Sequence, residues 1–285
     1  DYYFDNIVIE KIYGTVTRGR VISVQQDTDL IYTDVRNMTI SDIHCKAVGQ
    51  EQILLYPKSA ENITITNVTS GDPVGSVVRI TEEANIKNLT INKVEAPQGL
   101  TNNAIAIAGK VQNLYIDNLN VNMANTSTQS AVNILSGGSV SHMFIKQVCQ
   151  QYGSALLTVG GSLVRAFIEQ FQVANVNTLI TSGYAGNYAL ILSNGYCHYA
   201  SRFLSNTSPG DSNIRILGNN VAFHNDTSSR FYLTGTNKVS LHGIIKVHDV
   251  ASLTPLNGDI IYNTNPSFGT GVGLYIYETS AWRKI

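Results

Sequence analysis

The feature that most constrains this chain is a short pattern, Asn-Ile-x-Ile, that returns about every 25 residues. It reads NIVIEKI at Asn6, NMTISDI at Asn37, NITITNV at Asn62, NLTINKV at Asn88, NLYIDNL at Asn113 and NIRILGN at Asn213. Weaker copies are HMFIKQV at His142, RAFIEQF at Arg165, ALILSNG at Ala189 and KVSLHGI at Lys238. Three residues after each anchor stands Ile9, Ile40, Ile65, Ile91, Ile116, Ile145, Ile168, Leu192, Ile216 or Leu241, and one residue after it the side chain is always apolar. Apolar positions two apart share one face of a strand. A second apolar run follows in most copies, such as ILLY at Ile53, VVRI at Val77, AIAIA at Ala104 and ALLTV at Ala155, and a glycine or polar turn usually closes it.

Two or three short strands in each repeat, with no helical period between them, predict an all-β chain. The expected architecture is a right-handed parallel β-helix of about ten coils over residues 1–248. The period breaks after that. Residues 249–285 contain GDIIYN, VGLYIY and SAWRKI, which read as a small antiparallel β cap covering the last coil. The anchors Asn37, Asn62, Asn88 and Asn113 fall at corners, where asparagine tolerates unusual backbone angles, and they can stack as an amide ladder. That placement also accounts for most of the Asn-x-Ser/Thr triplets without glycosylation.

Composition excludes several classes. Net charge is −1 and charged residues are 14%, so nothing favours nucleic acid, and no apolar run is long enough for a membrane span. The chain opens on DYYFDNIVIE, with no Met and no leader, and reads as a piece of something longer. Cys45, Cys149 and Cys197 are too few and too far apart along the coils to pair, and are expected as buried free thiols. The six histidines show no metal spacing, and Asp27-Thr28-Asp29 is only a fragment of a calcium loop, so no metal or other cofactor is expected.

The Asn-Ile-x-Ile ladder followed by GDIIYNTNP, GVGLYIY and AWRKI resembles the C-terminal part of bacteriophage tailspike depolymerases, which are pectate-lyase-like β-helix proteins. The tail carries the more specific part of the likeness, over about 30 residues. The resemblance implies a homotrimer on the phage tail of a virion, acting outside the host cell. It implies attachment through an N-terminal part missing here, and binding and cleavage of a bacterial capsular polysaccharide.

Hydrolysis of a glycosidic bond calls for two carboxyl groups. Thirteen of the twenty Asp and Glu lie in residues 1–100, seven before Glu51 and six from Glu51 onward. The candidate catalytic acids are therefore Asp27, Asp29, Glu51, Glu82 and Glu83. Asp27, Lys58 and Glu83 each lie 21 residues past an anchor, so aligned coils would stack Lys58 between two carboxylates about 10 Å apart. Lys58 and Arg79 are the candidate cations beside them. Tyr184 and Tyr188, with Tyr196 and Tyr199 close by, are candidate sugar-stacking residues. An endoglycosidase, a lyase on the same fold and a non-catalytic trimeric receptor-binding rod all fit these features.

Overall fold

The computed structural model describes residues 2–16, 18–25, 33–47, 50–71, 75–186, 188–200, 202–206, 214–224, 233–234, 239–242, 260–263, 273–278 and 281–284. The chain is an all-β, right-handed parallel β-helix, the hand that strand twist imposes on parallel crossovers. Each coil is a short strand, a tight turn and a long strand. Six coils are complete among the described residues. Their short strands are Ile53–Tyr56, Val78–Ile80, Ile105–Ile107, Ser130–Ile134, Ala155–Val159 and Thr178–Ser182. The long strands that follow are Ser59–Ser70, Asn85–Leu100, Lys110–Met123, Ser139–Gln151, Ser162–Ala174 and Tyr188–His198. Partial coils extend both ends, bringing the short-strand sheet to nine strands and the long-strand sheet to twelve. The expected ten coils are thus six complete ones with incomplete neighbours, because the outermost copies of the pattern lack one strand or lie partly outside the described residues.

The isoleucine column is the spine of the core. Ile9, Ile40, Ile65, Ile91, Ile116, Ile145, Ile168 and Leu192 pair in succession, one directly above the next. From Ile40 onward each of these side chains is 0% exposed. Ile9 is only half-buried, because its strand Val8–Val16 has a neighbour on one side alone. The ninth copy departs from the expected register. Ile216 pairs with Leu190, and Gly218 takes the place beneath Leu192. A slip of two residues keeps every side chain on its original face, so the repeat pattern cannot distinguish it from perfect stacking.

The long strands are folded at two bends. In Lys110–Met123 the buried residues are Val111, Leu114, Ile116, Leu119, Val121 and Met123. The outward pairs Gln112-Asn113 and Asp117-Asn118 break the alternation where the backbone turns, and Gln112 and Asp117 drop out of the ladder pairing. The amide ladder runs along the first bend. Asn113 Nδ2 donates to Asn88 Oδ1, Asn88 Nδ2 to Asn62 Oδ1 and Asn62 Nδ2 to Asn37 Oδ1, each at 2.9 Å, and Asn37 Nδ2 ends the run on Asp5 Oδ1 at 2.8 Å. Of the anchors, Asn6 and Asn37 have the left-handed backbone while Asn62, Asn88 and Asn113 do not, and in the coil of Asn62 it falls at Asn67 on the second bend.

Side-chain sizes are matched between coils. Phe171 pairs with Gly195, and a Cβ on Gly195 would run into the Phe171 ring, so the glycine is the space the phenyl fills. Cys45 and Cys197 are buried and Cys149 is half-buried, so the third thiol departs from expectation. Burial pushes the Cys197 thiol up to about 12, which leaves it protonated and unreactive. The tail strands Ile260–Asn263, Gly273–Glu278 and Ala281–Lys284 form a separate antiparallel sheet, as the GDIIYN, VGLYIY and SAWRKI segments predict.

Candidate functional site

The outer face of the short-strand sheet holds Glu51 and Arg79, and the turns after its strands carry Lys58, Glu82 and Glu83. Ile53, Val78, Ile105, Val132, Leu157 and Ile180 form one inward column. The residue after each points outward by strand alternation, giving the column Leu54, Arg79, Ala106, Asn133, Thr158 and Thr181. Two residues before the inward column stand Glu51, Ser76, Asn103, Ser130, Ala155 and Thr178, all buried.

Hydrogen bonds knit the two outer columns together. Ser130 and Thr158 hydroxyls meet at 2.7 Å, Asn133 Nδ2 donates to Asn103 Oδ1 at 3.3 Å, and the Ser130 amide donates to the same Asn103 oxygen at 3.0 Å. The outcome is a run of half-exposed amide and hydroxyl side chains at Asn133, Thr158 and Thr181, while Leu54 and Ala106 in the same column are apolar and buried and the charges stand in the first coils.

Those charges form a triad. Ile22 pairs with Ile53, which brings Arg20 level with Glu51 one coil away. Arg20 Nε donates to Glu51 Oε2 at 2.9 Å, and Arg79 Nη1 donates to Glu51 Oε1 at 3.2 Å. The Glu51 side chain is 9% exposed, against 35% for Arg20 and 39% for Arg79. Burial by itself would raise the Glu51 carboxyl. Its own backbone amide, the hydrogen bond from Arg20 and the charges of both guanidiniums outweigh that and hold it below its ordinary value. Glu51 is therefore a fixed anion with both oxygens taken, unsuited to donating a proton. Among the described residues nothing accepts a hydrogen bond from the buried Arg79 Nε.

This arrangement sets a pH dependence. A carboxyl depressed in the folded state stabilises it at neutral pH and loses that contribution as pH falls from the unfolded value, about 4.3, through the folded one. Melting temperatures measured from pH 7 to pH 3 are expected to fall less steeply in Glu51→Gln than in the parent chain. An identical slope in the two proteins would contradict the ionised triad.

Glu82 and Glu83 project from the next turn. Four residues, Thr81 to Ala84, separate Ile80 from the strand starting at Asn85, where only Ala108 and Gly109 separate Ile107 from Lys110. The longer turn carries both carboxylates into solvent. Glu83 bonds the Tyr56 hydroxyl, and this bond, more than burial, raises the Tyr56 phenol above its ordinary value. Lys58 is exposed in the preceding turn. Ala60 pairs with Ile86, so Ala84 rather than Glu83 lies level with Lys58, and the anticipated alternation through Lys58 is offset by one residue. Asp27 and Asp29 lie outside the described residues.

Of the tyrosines, Tyr188 is a core residue, 3% exposed, with its phenol pushed up to about 12 chiefly by burial. No sugar reaches it, which corrects the stacking role expected of it. Alternation placed its ring inside because it opens a strand whose next inward residues are Leu190 and Leu192. Tyr184 is half-buried against the same core. The structure thus groups Glu51 with Arg79 in one ion-pair network, and Glu82 with Glu83 in the turn that follows Arg79's strand.

Sequence reasoning missed Arg20 and Tyr56. The interval of 31 residues from Arg20 to Glu51 equals the first repeat spacing, and that was the available signal. A separate cavity of about 280 Å³ at the first coils is lined chiefly by apolar side chains, among them Phe4, Ile9, Val24, Val35 and Met38. None of the described candidate acids lines it. No family profile, no curated protein and no solved structure matches this chain.

Proposed function

We propose that this chain is the β-helix of a phage tailspike depolymerase that binds and hydrolyses a capsular polysaccharide along the outer face of its short-strand sheet. The carrying observation is the run of half-exposed Asn133, Thr158 and Thr181, in register over three coils of the face whose first coils hold the Arg20–Glu51–Arg79 triad and the projecting Glu82-Glu83 turn. An extended sugar chain presents hydroxyls at regular intervals, and a parallel ladder offers partners at a matching one-dimensional repeat.

In this reading Glu83, exposed and bonded to Tyr56, transfers the proton at the glycosidic oxygen. Glu51 stays ionised and orients the two guanidiniums. Glu82 supplies the second carboxylate of the turn.

Association into a homotrimer belongs to the same proposal. The long-strand sheet carries an outward aromatic ladder, Tyr115, Phe144 and Phe167, with successive ring centroids 5.3 Å and 5.2 Å apart, continued by Ile191. These side chains are half-exposed, and an apolar stripe on a sheet face is a surface suited to a second copy. The polysaccharide belongs to an encapsulated host, and the protein acts from the virion.

Incubating the chain with purified capsular polysaccharides tests the reading. New reducing ends without a new chromophore are expected. An ultraviolet-absorbing unsaturated sugar would make the protein a lyase. Binding with no loss of polymer length would make it a non-catalytic receptor-binding rod.

A further inference from the structure

The corner that follows the long strands carries a side chain its backbone does not favour. Tyr152, Asn175 and Tyr199 occupy this corner in three successive coils, and all three are left-handed, with φ of 62°, 56° and 55°. Their stacking is fixed by the amides of Tyr152 and Asn175, which donate to Ala174 O and His198 O of the next coil at 2.9 Å. Asparagine suits this conformation and tyrosine does not. At Tyr152 the ring packs partly against the core, which compensates. Tyr199 has no such compensation, since it is 42% exposed. A strained backbone carrying an exposed aromatic ring points to a use outside the fold.

Its surroundings indicate what that use is. Tyr196 and His198 point to the same side of their strand, with the buried Cys197 between them pointing inward. The Tyr196 hydroxyl and His198 Nδ1 are 2.9 Å apart and their rings lie within 16° of parallel. His198 meets the Tyr199 ring at 64°. Tyr196 is 40% exposed. The residues beside them in the preceding coil are Gln172, Ala174 and Asn175, of which Gln172 and Asn175 are exposed. Two exposed phenol rings, a histidine and two exposed amides make the platform; the preceding coil brings no carboxylate or basic side chain into register with it, and the following coil brings His224 level with His198.

We propose that Tyr196, His198 and Tyr199 form a second glycan-binding site, on the long-strand sheet, that takes the face of a neutral pyranose. The sugar's C–H face lies on the tyrosine rings, and Gln172 and Asn175 reach its hydroxyls. A cationic ligand would call for carboxylates, and among the described residues none stands in register with these rings. The site requires binding alone and does not rest on cleavage at the short-strand face.

Saturation-transfer NMR on the full chain with maltohexaose, cellohexaose and N-acetylchitohexaose tests it. At least one is expected to show transfer to its ring protons. Tyr199→Asn is expected to bind about tenfold more weakly, roughly 1.4 kcal/mol for one lost ring contact. The same variant keeps the parent's melting temperature or exceeds it, because asparagine suits the corner. Absence of transfer from all three sugars would overturn the proposal, as would undiminished transfer in Tyr199→Asn. A lower melting temperature or a changed oligomeric state in that variant would also overturn it, by making the ring a packing or subunit contact.

Discussion

A chain carrying Ile116→Asp is expected to yield no folded rod. Ile116 is 0% exposed and lies between Ile91 and Ile145 in the continuous column. The substitution removes a buried side chain, worth about 2–5 kcal/mol with its cavity, and places a carboxylate where no cation reaches. An unpaired buried charge adds several kcal/mol more, and the sum consumes the roughly 5–15 kcal/mol that a domain has. Each coil rests on its neighbours, so the defect also uncouples the coils on either side. Asp117→Ala, one residue further on, is the control. Its side chain is outward and its bond to Lys146, at 2.8 Å, is a surface pair worth at most about 1 kcal/mol. Circular dichroism and thermal melting of the two variants should therefore differ completely. A cooperative melt near the parent temperature for Ile116→Asp would mean that the column is not the core.

The second large effect concerns cleavage. Glu83→Gln is expected to lower the rate of capsule depolymerisation by about 10² or more while leaving the melting temperature and oligomeric state unchanged, since the side chain is exposed and loses only its proton-transfer chemistry. Glu51→Gln should behave differently. It leaves two half-exposed guanidiniums facing an amide, so stability and activity fall together. The pair of outcomes separates a chemical role from a positioning one. Normal cleavage in Glu82→Gln, Glu83→Gln and Glu51→Gln alike would move the reaction away from this face, with Asp27 and Asp29 next to be changed.

The amide ladder and the offset at Lys58 show how far spacing alone reaches. Asn37, Asn62, Asn88 and Asn113 stack because each stands two residues past a member of one paired column, Val35, Ala60, Ile86 and Val111. Lys58 and Glu83 fail to align because the turn between them and the next strand differs by one residue, and turn length is free to vary where no core column runs through it. Tyr188 was misplaced for a related reason. A tyrosine at a strand opening fits either face, and only the register of its neighbours settles which one.

The sequence by itself determined the all-β solenoid, the inward isoleucine column and the antiparallel tail strands. Each follows from a period of two within strands and a repeat near 25 residues between them, and both are properties of the chain alone. The tertiary structure decided the slip of two residues at Ile216, the capture of Glu51 by Arg20 and Arg79, and the exposure of Tyr199 beside the burial of Tyr188. These depend on which side chains of different coils come level, and on how turns of unequal length carry the chain from one coil to the next. A hydrophobic repeat is unchanged by a shift of two residues, whereas a hydrogen bond between two particular side chains is not.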